Sequence, residues 1–136
     1  MGKLEGKTAV ITGAGTGIGR AIARMFGSEG ADLVIGSRNL ETLDSCAQQL
    51  RNQGTTVSVI PTDVTEETQV QALFEGAVRK FGRIDIAINN AGTGDYVGLA
   101  DMSLERWNRV VAVNLTGVFL CVREAMNVMK VQNGGR

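Results

Sequence analysis

The sequence predicts an α/β fold in which a parallel β-sheet is covered by helices on both faces. Short runs of β-branched and apolar residues alternate four times with segments whose apolar residues recur at helical spacing. The runs show little alternation of polar and apolar residues, which is typical of strands buried on both faces. A glycine-rich segment, residues 13–19, joins the first run to the first helical segment. A chain of 136 residues is long enough for one domain with a sizeable core.

The first half of the chain predicts two strands and two helices. Residues 7–12 are β-branched and apolar, and they predict the first strand. Apolar residues at helical spacing then predict a helix from Ile18 to Gly30, since glycine is common just after a helix. Residues 33–36 predict the second strand. Asn39 is a favourable N-cap for the second helix, and Gly54 predicts its end.

The second half repeats this alternation. Residues 57–61 predict the third strand, and residues 66–81 predict a helix with one apolar face that ends at Gly82. Residues 84–88 predict the fourth strand. Residues 104 to about 131 predict one long last helix.

The glycine-rich segment predicts a turn that binds the pyrophosphate of a dinucleotide. Glycine lets the backbone turn sharply after a strand, and without a side chain a phosphate can approach the amides. The following helix directs its free N–H groups toward that phosphate. The candidate residues are Gly13, Thr16, Gly17, Ile18 and Gly19. The alternative is a glycine-rich turn that only closes a loop. A phosphate-loop NTPase is excluded because no Lys-Ser/Thr pair follows the glycines.

The residues after the second predicted strand favour NADP(H) over NAD(H). An acidic residue about 20 positions past the glycines would bind the ribose hydroxyls of NAD. Ser37 stands 18 residues after Gly19, and Arg38 follows it. A serine and an arginine can hydrogen-bond a 2′-phosphate, which a carboxylate would repel. The alternative is that Arg38 is a solvated residue at the end of a strand.

Two more strand ends carry candidate cofactor-binding residues. Asp63 and Val64 follow the third predicted strand, where a polar side chain can contact an adenine edge. Asp63 could equally cap the next helix. Asn90, Ala91 and Gly92 follow the fourth predicted strand, and the two small residues suit a backbone that closely borders a cofactor. A simple Asn-Gly turn is the alternative there.

Asn114 stands out in the last predicted helix because asparagine is a poor helix former. Val110, Gly117 and Cys121 share its face at helical spacing, so we expect its amide to lie among apolar neighbours. A buried amide without a partner costs about 1–3 kcal/mol. We therefore expect a water, a ligand or a backbone carbonyl to hydrogen-bond it. A purely structural amide is the alternative.

Together these segments resemble the short-chain dehydrogenase/reductase family, in the family's order and over the whole chain. The resemblance implies a Rossmann-type fold, NAD(P)(H) as the cofactor and hydride transfer between a carbonyl and an alcohol. It implies that Gly13, Gly17 and Gly19 border the pyrophosphate and that residues 90–92 flank the adenosine ribose. It also implies that Asn114 is one of four catalytic residues and organises a water in the proton relay.

The other three catalytic residues of the family, a serine and a Tyr-x-x-x-Lys pair, are absent from this sequence. The one tyrosine, Tyr96, is followed four residues later by Ala100. In relatives, residues 134–136 lead directly into a fifth strand on the outer edge of the fourth. We therefore expect residues 1–136 to be a partial NAD(P)-binding domain, truncated after the fourth strand and its long helix, and inactive alone. The alternative is a non-catalytic dinucleotide-binding or interaction module.

Composition restricts the partners of the chain. Its 14 basic and 14 acidic residues give zero net charge, so nothing indicates nucleic acid or an anionic membrane. The apolar stretch at residues 110–122 is too short to span a bilayer.

The absence of histidine argues against a metal site, and we expect Cys46 and Cys121 to be small buried hydrophobes. We expect a cytoplasmic protein with a small-molecule carbonyl or alcohol substrate, and the resemblance implies a homo-oligomer for the full-length protein.

Overall fold

The computed structural model describes residues 2–136, which form a four-stranded parallel sheet with helices on both faces. The strands are β1 (Thr8–Thr12), β2 (Asp32–Gly36), β3 (Val57–Val59) and β4 (Ile86–Ile88). The helices are α1 (Gly17–Ser28), α2 (Leu40–Asn52), α3 (Glu67–Phe81), α4 (Leu104–Val111) and α5 (Val118–Val131). The strand order is β3-β2-β1-β4, and every pairing is parallel. The predicted fold class is confirmed.

Side chains of the sheet alternate between its two faces and form two separate cores. On one face, Ile11, Leu33 and Ile35 pack with residues of α1 and α2. On the other face, Val10 and Val34 pack with residues of α3 and α5. All five are almost completely buried. Burial on both faces is the reason that these strands show so little polar–apolar alternation.

The two cysteines are buried as predicted, one in each core. Cys46 packs between α2 and the sheet, and Cys121 packs on the opposite face. Burial raises the pKa of both thiols, to about 11 for Cys121. Both side chains therefore stay protonated at neutral pH and act as small apolar groups.

β1 is one residue shorter than the sequence predicts, and β3 and β4 are each two residues shorter. β3 ends two residues before Pro61, although the N–H groups of Ile60 and Thr62 still donate to the carbonyls of Ile35 (3.1 Å) and Ser37 (2.9 Å). β4 begins at Ile86 rather than at residue 84. Ile84 is instead fully buried in the core beside α3. The side chain of Asp85, just before β4, accepts a hydrogen bond from the N–H of Thr8 (2.9 Å) and so ties the start of β4 to β1.

The last helix is not the single α-helix that the sequence predicts. A π-helical turn, Ala112–Gly117, joins α4 to α5, and a 3₁₀ turn, Leu99–Asp101, precedes α4. A π-turn adds a residue to the helical turn and occurs frequently at functional sites. Here it contains Asn114 and ends at Gly117, where a Cβ would lie 2.7 Å from a methyl group of Val64. The apolar spacing continues through this turn, so periodicity alone could not reveal it.

The helical run Leu104–Val131 is long and apolar enough to cross a membrane, judged by length and composition. Its most apolar window has a mean hydropathy of 1.3, and 28% of that window is buried within the protein. The apolar stretch therefore extends beyond the limits expected from the sequence. Core helices of soluble proteins meet the same criteria, so the run is weak evidence for a membrane.

Arg136 pairs with the outer edge of β4. Its N–H donates to the carbonyl of Asp85 (2.9 Å), and its carbonyl accepts from the N–H of Ala87 (2.8 Å). These two bonds have the pattern of one rung in a parallel ladder. They lie on the edge where the resemblance implies a fifth strand.

Candidate functional site

An open cleft of about 660 Å³ lies at the carboxyl ends of the strands. Open α/β sheets bind their ligands at this edge. The lining residues come from the segments that follow the four strands, and from the π-turn: Gly13, Gly15, Thr16, Ser37, Arg38, Asn39, Thr42, Thr62, Asp63, Val64, Ala91, Gly92 and Val113. Most of the predicted cofactor-binding residues are among them. The exceptions are Gly17, Ile18, Gly19 and Asn90, and the candidate catalytic residue Asn114 also lies outside the lining.

The glycine turn after β1 brings the start of α1 to the cleft. Gly13 (φ +67°) and Gly17 (φ +55°) adopt left-handed conformations that favour glycine. A Cβ on Gly19 would lie 2.2 Å from the carbonyl oxygen of Gly13, so α1 packs directly on the turn. A Cβ on Gly17 would meet nothing within 4 Å. Thr16 is the N-cap of α1 and Ile18 is 73% exposed, and the N–H groups of this first turn have no intrahelical acceptor.

Hydrogen bonds join the glycine turn to the segment after β4. The hydroxyl oxygen of Thr12 accepts from the N–H groups of Asn90 (3.1 Å) and Ala91 (3.0 Å). The side-chain amide of Asn90 donates to the carbonyls of Thr12 (3.1 Å) and Gly13 (3.2 Å). Thr12 and Asn90 therefore fix the two segments to each other. Asn90 directs its amide at this backbone rather than at the cleft.

The end of β2 carries an unpartnered hydroxyl. The Oγ of Ser37 is buried and has no hydrogen-bond partner among residues 2–136. Arg38 beside it is exposed, and no carboxylate in the described part of the chain forms an ion pair with it. Asn39 caps α2, as predicted, by accepting from the N–H of Thr42 (3.1 Å). A Cβ on Gly15 would lie 2.5 Å from the hydroxyl of Thr42 and 3.3 Å from that of Ser37, so the glycine turn and the start of α2 are in close contact.

Asp63 uses its carboxylate locally. One carboxylate oxygen accepts from the N–H (3.0 Å) and the hydroxyl (2.7 Å) of Thr65. The N–H of Asp63 donates to the side chain of Gln69 (2.8 Å). Glu66 is the N-cap of α3, so Asp63 stabilises the turn before the helix rather than the cap itself. The alternative that Asp63 caps α3 is therefore wrong, whereas the position of Asp63 and Val64 in the lining of the cleft is compatible with the adenine contact.

The prediction for Asn114 is wrong about burial and confirmed about hydrogen bonding. The residue lies within the π-turn and is exposed rather than enclosed by apolar neighbours. Its Oδ1 accepts from the N–H of Thr93 (2.8 Å), and its Nδ2 donates to the carbonyl of Thr93 (2.8 Å). A Cβ on Gly92 would lie 3.5 Å from the same Oδ1. Asn114 is therefore beside the cleft, with both ends of its amide held by one backbone residue.

The sequence did not predict five of the lining residues. Gly15 belongs to the glycine-rich segment and Asn39 follows Arg38, so their positions in the sequence could have indicated them. Thr42, Thr62 and Val113 belong to no recognisable pattern, and only the fold brings them to the cleft. No group of three or more His, Cys, Asp or Glu side chains within residues 2–136 is arranged to bind a metal ion.

Comparisons with known proteins agree with this architecture. The family model described as short chain dehydrogenase matches residues 7–136. An uncharacterized oxidoreductase of Thermotoga maritima is 38% identical over 132 residues, which are 97% of this chain and 52% of that protein. A short chain dehydrogenase/reductase of Burkholderia phymatum in complex with NAD is 40% identical, with a TM-score of 0.93. The match covers 98% of this chain and 47% of that protein's chain. NAD⁺-bound xylitol dehydrogenase is 34% identical, with a TM-score of 0.95. The match covers 98% of this chain and 52% of that protein's chain.

The chain spans about half the length of these relatives. The family model covers it almost from end to end, and the solved relatives share its fold closely. The chain belongs to the short chain dehydrogenase family, whose members are oxidoreductases that bind a nicotinamide cofactor.

Proposed function

We propose that this chain is the cofactor-binding part of an NADP(H)-dependent oxidoreductase of the short-chain dehydrogenase/reductase type. The proposed reaction is hydride transfer between a carbonyl and an alcohol of a small-molecule substrate, and the nicotinamide ring of the bound cofactor supplies or accepts the hydride. The observation that carries the proposal is the cleft in which the glycine turn, the start of α1 and the unpartnered hydroxyl of Ser37 meet. Residues 1–136 would form a partial NAD(P)-binding domain.

The glycine turn fits the pyrophosphate of this cofactor. The space above Gly17 is empty of protein atoms, so a phosphate can approach the backbone there. The N–H groups of Gly17, Ile18 and Gly19 lack intrahelical acceptors and would donate to phosphate oxygens, assisted by the positive end of the helix dipole. Gly13 and Gly19 allow the turn and α1 to pack closely, and Thr16 lines the cleft beside them.

Ser37 and Arg38 would bind the 2′-phosphate and favour NADP(H). The Ser37 hydroxyl is buried without a partner, which is costly unless a ligand hydrogen-bonds it. The adjacent guanidinium of Arg38 is not neutralised by a carboxylate among residues 2–136, so it can bind an anion. Two solved relatives hold NAD, so the proposed preference for NADP(H) rests on these two residues of this chain.

The remaining cofactor-binding residues divide into direct and indirect contacts. Asp63 and Val64 would border the adenine, and Ala91 and Gly92 would flank the adenosine ribose, since all four line the cleft. Asn90 would act through the glycine turn, because its amide donates to the carbonyl of Gly13. This contact keeps the turn in the shape that the pyrophosphate requires.

Asn114 is the proposed catalytic residue of this chain, where it would organise a water of the proton relay. The family's proton donor belongs to a Tyr-x-x-x-Lys pair that these 136 residues do not contain. We therefore propose that the chain alone does not reduce carbonyls. The same observation favours a second candidate, a non-catalytic dinucleotide-binding or interaction module. Sequencing the encoding DNA beyond the Arg136 codon distinguishes them: a reading frame with the serine and Tyr-x-x-x-Lys supports the oxidoreductase, and a stop codon supports the module.

The proposed setting is a cytoplasmic homo-oligomer without nucleic-acid or membrane partners. Zero net charge supports the absence of a nucleic-acid partner. The helical run Leu104–Val131 exposes a stripe of large apolar side chains, which include Leu115, Phe119, Val122 and Met126. Exposed apolar surface of this kind marks an interaction site. A second copy of the protein would bury it.

Calorimetric titration of the chain with NADPH and NADH tests the proposed cofactor. We expect NADPH to bind roughly 10- to 150-fold more tightly, because a hydrogen bond to a charged group contributes about 1.5–3 kcal/mol and about 1.4 kcal/mol is a factor of ten. The variant S37D/R38A should prefer NADH, since a carboxylate repels the phosphate and accepts from the ribose hydroxyls. Arg79→Ala, an exposed arginine on α3, is the matched control and should keep the wild-type ratio. Equal affinities would contradict the preference, and no binding of either nucleotide would contradict the proposed function.

A further inference from the structure

The loop after β4 is rich in glycine and has no regular secondary structure between residues 92 and 98. Gly92 and Gly94 flank Thr93, and Gly98 ends the segment. Glycine has more conformational freedom to lose on folding than any other residue. Hydrogen bonds from side chains are therefore needed to order this loop. Thr93 in particular lies between two glycines, which restrict its backbone very little.

Asp95 provides a strong anchor. Its side chain is only 2% exposed although the loop lies at the surface. Arg106 donates to both carboxylate oxygens, from Nη2 (2.5 Å) and from Nε (2.7 Å), and Nη2 of Arg109 donates to one of them (3.0 Å). Asp95 also accepts from the N–H of Val97 within the loop (3.3 Å). The hydrogen bonds from Arg106 lower the pKa of Asp95 to about 2, so the carboxylate is charged at neutral pH.

The two arginines connect the loop to the helix that carries Asn114. Arg106 and Arg109 are three residues apart on α4 and therefore lie on the same face. The side chain of Ser103 caps this helix by accepting from the N–H of Arg106 (3.2 Å). α4 continues into the π-turn, where Asn114 binds both backbone groups of Thr93. The loop is thus attached twice to one helical run.

We infer that Asp95 is a positioning residue that, through its clamp on Arg106 and Arg109, holds Thr93 where it fixes the orientation of the Asn114 amide. Only Gly94 separates Thr93 from Asp95, so fixing Asp95 restricts the positions that the Thr93 backbone can reach. Releasing the clamp leaves Thr93 between two glycines and frees the amide to rotate. The importance of this orientation for catalysis rests on the proposed function, whereas the clamp itself can be measured without activity.

Amide hydrogen exchange by NMR on the chain tests the clamp. Asp95→Asn keeps the shape of the side chain and removes its charge, so we expect exchange at Thr93 to accelerate at least about tenfold. The two Nδ2 protons of Asn114 should also shift toward the values of a solvated amide. Arg106→Lys keeps the positive charge but loses the two-pronged geometry, and should give an intermediate acceleration. Asp101→Asn, an exposed carboxylate close by in the sequence, is the matched control and should change neither signal.

The amide of Val34, a fully buried residue of β2, serves as the internal reference for folding, because it should stay protected from exchange as long as the sheet is intact. Unchanged exchange at Thr93 in Asp95→Asn, with Val34 still protected, would overturn the inference. If Asp95→Asn also loses protection at Val34, the double variant R106Q/R109Q removes the clamp from the helix side and must accelerate Thr93 selectively. A failure of that variant to do so would equally overturn the inference. Absent nucleotide binding would count against the proposed function and leave the exchange result intact.

Discussion

Replacing Gly17 with alanine isolates the contribution of the glycine turn to nucleotide binding. Gly17 has φ +55°, a left-handed conformation that costs an L-residue about 1–2 kcal/mol. The added methyl group would meet no protein atom within 4 Å, so it adds no packing cost. We therefore expect Gly17→Ala to remain folded, with a free energy of unfolding lower by about 1–2 kcal/mol.

Gly54 provides a control with the same local properties. It has φ +85°, and a Cβ there would also meet nothing within 4 Å, but it follows α2 and does not line the cleft. Gly54→Ala should therefore lose a similar amount of stability. Only Gly17→Ala should weaken NADPH binding, because its methyl group occupies the space proposed for the pyrophosphate. Loss of one hydrogen bond to a charged group, about 1.5–3 kcal/mol, corresponds to roughly 10- to 150-fold in affinity.

The assay combines urea unfolding, followed by circular dichroism, with calorimetric titration of both variants. NADH binding should weaken by the same factor as NADPH binding, since both nucleotides contain the pyrophosphate. This common loss separates the glycine turn from Ser37 and Arg38, which act on the 2′-phosphate alone. Wild-type affinity in Gly17→Ala, or an equal loss of affinity in Gly54→Ala, would refute the assignment of the pyrophosphate to this turn.

The remaining predictions concern stability, pH and activity. Asp85→Ala should lower the free energy of unfolding at pH 7 by about 1–3 kcal/mol, measured in urea, because the buried N–H of Thr8 loses its acceptor. Burial opposes ionisation of Asp85, but hydrogen bonds from Arg83 and Thr8 hold its pKa below the ordinary value. The stabilisation should therefore be present at neutral pH and be lost as the pH falls below about 4, and wild type and Asp85→Asn should converge there. Incubated with NADPH and a panel of ketones and aldehydes, the chain should oxidise no cofactor above the buffer rate, and turnover abolished by S37D/R38A would contradict this.

The sequence predicts those parts of the fold that depend on burial. Val10, Ile11 and Val34 lie in strands buried on both faces, so a run of apolar residues is enough to locate them. The ends of strands depend on partners that are distant in sequence. Ile84 is apolar like Ile86 and Ile88, but it lies before the start of β4, and between them the side chain of Asp85 accepts from the N–H of Thr8. Because Thr8 and Asp85 are 77 residues apart, their contact leaves no pattern in the local sequence.

The residues of the candidate site also differ in how well the sequence predicts them. Glycine is informative because the positive φ of Gly13 and Gly17 and the close approach at Gly19 favour one residue type, so the sequence itself reports the geometry. Thr12 contributes two hydrogen bonds to the backbone of the segment after β4, yet a threonine at the end of a strand is unremarkable. The sequence thus identifies the backbone that faces the cleft more readily than the side chains that support it.

Asn114 shows that a correct expectation about hydrogen bonding can follow from an incorrect expectation about burial. A helical wheel at 100° per residue places it beside Val110 and Gly117, but in the structure the residue is exposed and lies within a π-turn. Its hydrogen-bond partner is the backbone of Thr93, which any residue type could provide. No pattern of side chains in the sequence therefore predicts this contact. What the sequence does report is an unfavourable residue kept inside a helix. The double hydrogen bond to the backbone of Thr93 offsets part of that cost.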